Sequence, residues 1–292
     1  MLTFVFEMSQ PIRRAAVAGT WYPGQAGMLA REIDQYLDRA RCPEDWDIVG
    51  LVVPHAGLMY SGPVAAHAFK AVAGRSYDVA VLVGPSHYVG FEGVAIERRG
   101  AFATPMGCIP ISEPDAAAIA AASPVFHDLP AAHAREHSLE MQLPFLQRVL
   151  PFTPIVPLVM GHQTPATIAA LADALVAALR DRRALLIASS DLSHFQEAKR
   201  AARLDALVVD AINAFDPETL GRALVKFPDH ACGGGPIVSV LLAARGLGAA
   251  DARVMKYGDS GDVSGDKRSV VGYAAAVLGT HSASRPGARA GT

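Results

Sequence analysis

Ala184-Leu185-Leu186-Ile187-Ala188-Ser189-Ser190-Asp191-Leu192-Ser193-His194 runs a short, wholly apolar segment into a polar turn that ends on a histidine. An uninterrupted apolar run of this length suits a strand buried on both faces, as in the parallel part of an α/β sheet. Three further runs share the form. Ile48 to Val53 stops at Pro54-His55-Ala56-Gly57, and Val79 to Val83 stops at Gly84-Pro85-Ser86-His87. Ile155 to Met160, broken by Pro157, ends at Gly161-His162. Helix-spaced apolar residues fill Met28 to Ala40, Pro63 to Val72, Pro165 to Arg180, Glu197 to Asn213 and Pro236 to Arg245. Three of these segments open on the proline that a first helical turn tolerates. Alternation of strand and helix gives an α/β fold with a mixed, mostly parallel central sheet flanked by helices. Val94 to Glu97 and Val270 to Leu278 read as further strands. Residues 1–12 form an N-terminal extension, 13–279 a single α/β domain, and 280–292, rich in Ser, Gly, Arg, Pro and Ala, a disordered tail.

The 292 residues carry 26 Lys plus Arg against 28 Asp plus Glu, a net charge of -2. That balance lacks the electrostatic footprint of a nucleic-acid or anionic-membrane binder. Hydrophobic residues make up 51% and charged ones 18%, which fits a deeply buried sheet rather than disorder. Cys42, Cys108 and Cys232 are widely spaced and odd in number, so a disulfide framework is not expected and a reducing cytoplasm is the simplest home. Leu2 to Phe6 is too short for a signal-peptide core, and no apolar run reaches the roughly 20 residues needed to cross a bilayer.

Ligands of open α/β sheets bind beyond the carboxyl ends of the strands. Three of the four strongest strand candidates exit there into a histidine motif, which sets His55, His87 and His194 at equivalent places. His162 also follows a strand, so position alone does not assign a role. Cys232 precedes a helix within Asp229-His230-Ala231-Cys232-Gly233-Gly234-Gly235-Pro236. A thiol beside a helix N-terminus is expected to have a lowered pKa, as a metal ligand or nucleophile would require. The other reading is a small buried hydrophobe; Cys42 and Cys108 are read as structural. Arg135-Glu136-His137-Ser138-Leu139-Glu140-Met141-Gln142 sets His137 and Glu140 within one turn if helical, as a proton shuttle, as support for a metal ligand, or simply as a polar helix start. Asp259 to Asp262 and Asp266 to Arg268 read as a solvated loop. No phosphate-binding loop, nucleophile elbow or dinucleotide fingerprint is present.

With these residues in view, the chain resembles the Memo family from about Arg13 to Leu278. The resemblance rests on Ala18-Gly19-Thr20-Trp21-Tyr22-Pro23, Pro54-His55-Ala56-Gly57 with Tyr60-Ser61-Gly62, Gly84-Pro85-Ser86-His87, Glu136 to Pro144, Ser189 to His194, and Lys256-Tyr257-Gly258-Asp259-Ser260. It departs from the family pattern at Gly234, where an aromatic residue is expected. The resemblance implies a fold like that of the class III, LigB-type extradiol dioxygenases, with a cysteine in place of the usual carboxylate ligand. It also implies metal ligands His55, His87 and Cys232, with Asp191 and His194 in the same pocket. Iron(II) is the expected metal, with copper or zinc as alternatives. Asp191, His194 and His137 are the expected proton-handling residues. A small-molecule or peptide ligand, and AMMECR-type and radical-SAM partner proteins, belong to the same expectation.

Two functions follow. The first is a metal-dependent oxidoreductase of unknown substrate. The second is a non-catalytic module that grips a peptide or small ligand in the old enzyme pocket. A catechol-cleaving enzyme is disfavoured by the cysteine, and a sulfur-nucleophile enzyme built on Cys232 remains open.

Overall fold

The computed structural model describes residues 11–42 and 45–281. Among them a nine-stranded sheet forms the centre. Its middle is parallel: Trp46–Val53 pairs with Ala184–Ser189, which pairs with Val79–Pro85, which pairs with Ile155–Met160. Every residue of the last three strands is buried, as their continuous apolar runs require. The flanks mix directions. Val94–Ile96 lies antiparallel to Ile155–Met160, with Phe126–His127 parallel beyond it. On the other side Val270–His281 runs antiparallel to Trp46–Val53 and also pairs with Asp251–Asp259 and His194–Gln196. The sheet is mixed, with a parallel core.

Pro157 does not break its strand. It pairs with Leu82 on one side and stands one residue before the segment that pairs with Val94–Ile96. A residue with a neighbouring strand on one side only can spare its N–H.

Helices cover the sheet in two groups. Leu58–Lys70 packs on Trp46–Val53 and Val270–His281, backed by Ala26–Arg39 and Leu143–Val149. Gly234–Gly246 packs on the three strands Trp46–Val53, Val79–Pro85 and Ala184–Ser189, backed by Pro165–Leu179 and Pro217–Lys226. The helix expected to open at Pro63 begins at Leu58 instead and carries Pro63 in its interior. A small three-stranded sheet of Ile12–Arg13, Ala101–Thr104 and Gly107–Pro110 lies apart from the main one. The final strand extends through Thr280 and His281, which pair with Asp47 and Trp46. The rest of the expected tail, and residues 1–10 of the extension, lie outside the described residues. Among the described residues no helix is long and apolar enough to cross a membrane.

Candidate metal centre

Strand register brings the histidine motifs together. Val53 pairs with Ser189, so His55 and Asp191, each two residues further on, leave the sheet side by side. Val83 pairs with Ala188, which places the Gly84-Pro85-Ser86-His87 exit next to them. Three loop ends therefore converge, and their last carbonyls need partners. The polar block after Arg135 supplies them. Ser138 Oγ donates to Pro85 O at 3.0 Å, and Gln142 Nε2 donates to Pro54 O at 3.1 Å and to Ser189 Oγ at 2.8 Å. Space is tight: a Cβ at Gly84 would lie 2.6 Å from Ser138 Oγ.

The same block fixes the imidazoles. Ser189 Oγ gives its single proton to Ser138 O at 2.7 Å, so at 2.9 Å from His55 Nδ1 it can only accept. His55 therefore carries its proton on Nδ1 and turns a bare Nε2 into the site. Glu136 acts likewise on His87. Its Oε1 accepts from His87 Nδ1 at 2.8 Å, and Oε2 takes the His87 backbone N–H at 2.7 Å. Burial works against the Glu136 carboxylate, yet hydrogen bonds from His87 and from the Ser138 N–H override it and hold the pKa at about 2. His194 donates Nδ1–H to Leu192 O at 2.8 Å, which leaves its Nε2 bare as well.

His55, His87 and His137 form one compact group, their ligand atoms all within 4.8 Å of one another. Rings of His87 and His137 stack with centroids 4.4 Å apart. His55 and His137 are buried, whereas His87 faces solvent with 28% of its side chain exposed. Burial and the neighbouring His87 lower His137 to a pKa of about 4, and His55 is also pushed well below the ordinary range by burial. Both are neutral near pH 7. No carboxylate fixes His137: Tyr88 Oη stands 3.2 Å from its Nδ1, and Glu136 Oε1 is 3.7 Å away. Trp21 closes its other side, ring centroids 4.3 Å apart.

Cys232 lies against His55 and Asp191. Its Sγ lies 3.3 Å from His55 Nε2 and 3.3 Å from the Asp191 backbone N–H donor. A side chain at Gly233 would come within 2.5 Å of Ser189 O, so glycine is what lets this loop close on the strand end. The thiol pKa is not lowered by the helix start as the sequence led us to expect. Burial raises it, and Asp191 adds to the rise, so the group is a thiol that can donate to the bare His55 Nε2. Asp191 is itself buried, and desolvation lifts its pKa to about 6 against the hydrogen bonds it accepts from His55 and Ala56 N–H.

Glu140, expected beside His137, does other work. It is fully buried and accepts from Tyr22 Oη at 2.6 Å, from Ala16 N at 2.8 Å and from Val17 N at 3.0 Å, and it pairs with Arg13. It fastens the Ala18 to Pro23 segment to the site loop and so delivers Trp21 to His137. The carboxylate that serves the histidines is Glu136, one residue before His137. In the sequence Glu136, Ser189, Gln142 and Trp21 stand only as neighbours of the histidines or within the family blocks, and Tyr88, next after His87, carries no signal of its own. The signal was their place in the same polar blocks.

A family model described as Memo-like protein matches residues 13–277. A MEMO1 family protein of Thermotoga sp. strain RQ2 is 37% identical over 278 residues, covering 91% of this chain and 99% of its own. One from Methanosarcina mazei is 38% identical over 275 residues, covering 93% and 99%. Another, from Thermotoga neapolitana, is 39% identical over 280 residues, covering 91% and 99%.

Proposed function

This chain belongs to the Memo family, and we propose that it is a metal-dependent oxidoreductase whose ion is held by His55, His87 and Cys232. The observation that carries this reading is the pair of tied-off Nδ1 atoms. Ser189 and Glu136 leave the Nε2 lone pairs of His55 and His87 turned into one space, the arrangement that second-sphere partners give to metal-binding histidines. The donor set fits. Two donors on one tetrahedral ion stand roughly 3.3–3.7 Å apart for metal–ligand lengths of about 2.0–2.3 Å, and Cys232 Sγ lies 3.3 Å from His55 Nε2. Two imidazoles and a thiolate suit iron(II) foremost, and copper or zinc as well. Loading would displace the Cys232 proton. Iron(II) held there would supply one-electron redox chemistry with coordination positions left for small molecules.

The remaining groups handle protons and position. His137, neutral and without a fixed tautomer, is suited to carry a proton between the site and solvent by way of Tyr88 Oη. Asp191 orients the His55 loop and, with a pKa near 6, can hold a proton close to neutral pH. His194 turns Nε2 away from its Leu192 anchor and serves as a second acceptor.

Anaerobic loading with iron(II), followed by oxygen uptake against a panel of phenols, thiols and amines, tests the reading. Uptake that needs one of these reductants and disappears in His137→Gln supports it. No uptake with any of them contradicts it.

A second reading, a ligand- or peptide-binding module on the same fold, draws on the exposed Tyr88 ring with the Arg135 guanidinium 5.2 Å from its centroid. An aromatic and a cation paired at a surface are common in recognition sites. This reading predicts ligand affinity that survives chelators.

A further inference from the structure

Four arginines meet at the opposite end of the sheet from the histidines. Where Trp46–Val53 and Ala184–Ser189 begin, a cleft of about 430 Å³ is lined by Arg75, Arg180, Arg182 and Arg183 together with Tyr77 and Asp47. One carboxylate thus shares the lining with four guanidinium groups. Arg182 also pairs with Asp115, Nε to Oδ1 at 3.0 Å. If Asp47, Asp115 and Asp78, whose Oδ2 stands 4.0 Å from Arg182 Nε, each cancel one charge, one positive charge still faces the cleft, in a chain whose net charge is -2.

Three of the four guanidinium groups are positioned before any ligand arrives. Arg75 donates Nη1–H to Trp46 O. Arg183 sits over the Tyr77 ring at 5.6 Å, and Tyr77 is anchored by donating its hydroxyl to Ile48 O at 3.0 Å. Arg182 is held by Asp115. A basic residue at the end of Pro165–Leu179 offsets the helix dipole, which accounts for Arg180 but not for the other three. Guanidinium forks match phosphate oxygens in pairs, and pre-set side chains lose little entropy on binding. A concave site of this volume suits a small molecule rather than an extended polymer.

We propose that this cleft binds a phosphorylated small molecule bearing a di- or triphosphate group. Nothing in the proposal depends on the metal centre.

Isothermal titration of the full chain with inorganic pyrophosphate, and then with ADP, at low salt tests it. The expected result is saturable binding of both probes that weakens at least tenfold in Arg180→Ala/Arg183→Ala, with the melting temperature unchanged. Should that double variant melt early, Arg180→Ala alone, at an exposed helix end, carries the test and is expected to bind at least threefold more weakly. No saturable binding by the wild type, or equal affinity in these variants, overturns the proposal. So does binding that is lost in His55→Ala and kept in the arginine variants, because the anion would then occupy the metal centre.

Discussion

His55 and Cys232, 177 residues apart in the chain, meet with Nε2 and Sγ 3.3 Å apart because Asp191 fastens both of them. Its Oδ1 accepts the His55 backbone N–H at 2.7 Å and that of Ala56 at 3.2 Å. Its carbonyl accepts the Cys232 N–H at 3.2 Å, and its own N–H points at Cys232 Sγ. The side chain governs one donor and the main chain governs the other.

Asp191→Ala leaves one buried and one half-buried N–H group without an acceptor and should cost about 2 kcal/mol of stability. Asp191→Asn keeps an oxygen for them and should cost less than half as much. Urea unfolding of both variants decides the matter. Equal losses would mean that the charge, not the acceptor, is what the loop requires.

Glu136→Gln keeps one oxygen but replaces the other with an amide donor, which cannot serve both His87 N–H groups. Removal of such a partner typically weakens metal affinity about 10- to 100-fold. Competition with a fluorescent chelator would read this directly. An unchanged affinity would show that the tautomer of His87 is not set by Glu136.

Glu140→Ala strands the Arg13 guanidinium and removes the acceptor for Tyr22 Oη and two backbone N–H groups. Breaking a buried pair on one side costs about 3–5 kcal/mol. The expected signature is a lower urea midpoint together with stronger quenching of Trp21 by iodide, as its segment loosens from His137. A loss below about 1 kcal/mol would place Glu140 among surface ion pairs instead.

Much of the fold and of the site is legible in the amino-acid sequence. Continuous apolar runs ending in PHAG, GPSH and SSDLSH marked buried parallel strands and the end of the sheet where chemistry collects. Strand-to-strand register was not legible, and register is what sets Val53 beside Ser189 and hence His55 beside Asp191. Glu136 and Glu140 were indistinguishable in sequence because both are acidic residues within four positions of His137. Only the fold shows that one faces the imidazoles and the other the N-terminal segment. Pro63 mimics a first-turn proline in the sequence, yet Leu58–Lys70 carries it inside. The Cys232 thiol was expected to be acidified by its helix, but helix-dipole effects are worth about 1 kcal/mol or less and burial outweighs them.

His133 offers a pH test away from the metal centre. Burial, followed by the nearby Arg13, holds its pKa at about 4 against a backbone hydrogen bond with Ala95. The unfolded chain takes up a proton near pH 6.5 that the folded chain refuses. The stability His133 contributes is therefore present above pH 6.5 and is lost as pH falls toward 4. Between pH 7 and pH 5 its share of the loss is on the order of 2 kcal/mol. His133→Leu should shrink the pH 7 to pH 5 difference in urea midpoint. An identical difference in the variant would rule His133 out as its source.

Metal content after expression without added metal or chelator, measured by elemental analysis on the wild type, Cys232→Ser and His137→Gln, tests the central claim most directly. The account predicts near-stoichiometric iron in the wild type, a large loss in Cys232→Ser and retention in His137→Gln. A wild type that stays metal-free even after anaerobic iron(II) loading, or iron that survives Cys232→Ser and vanishes in His137→Gln, would contradict it.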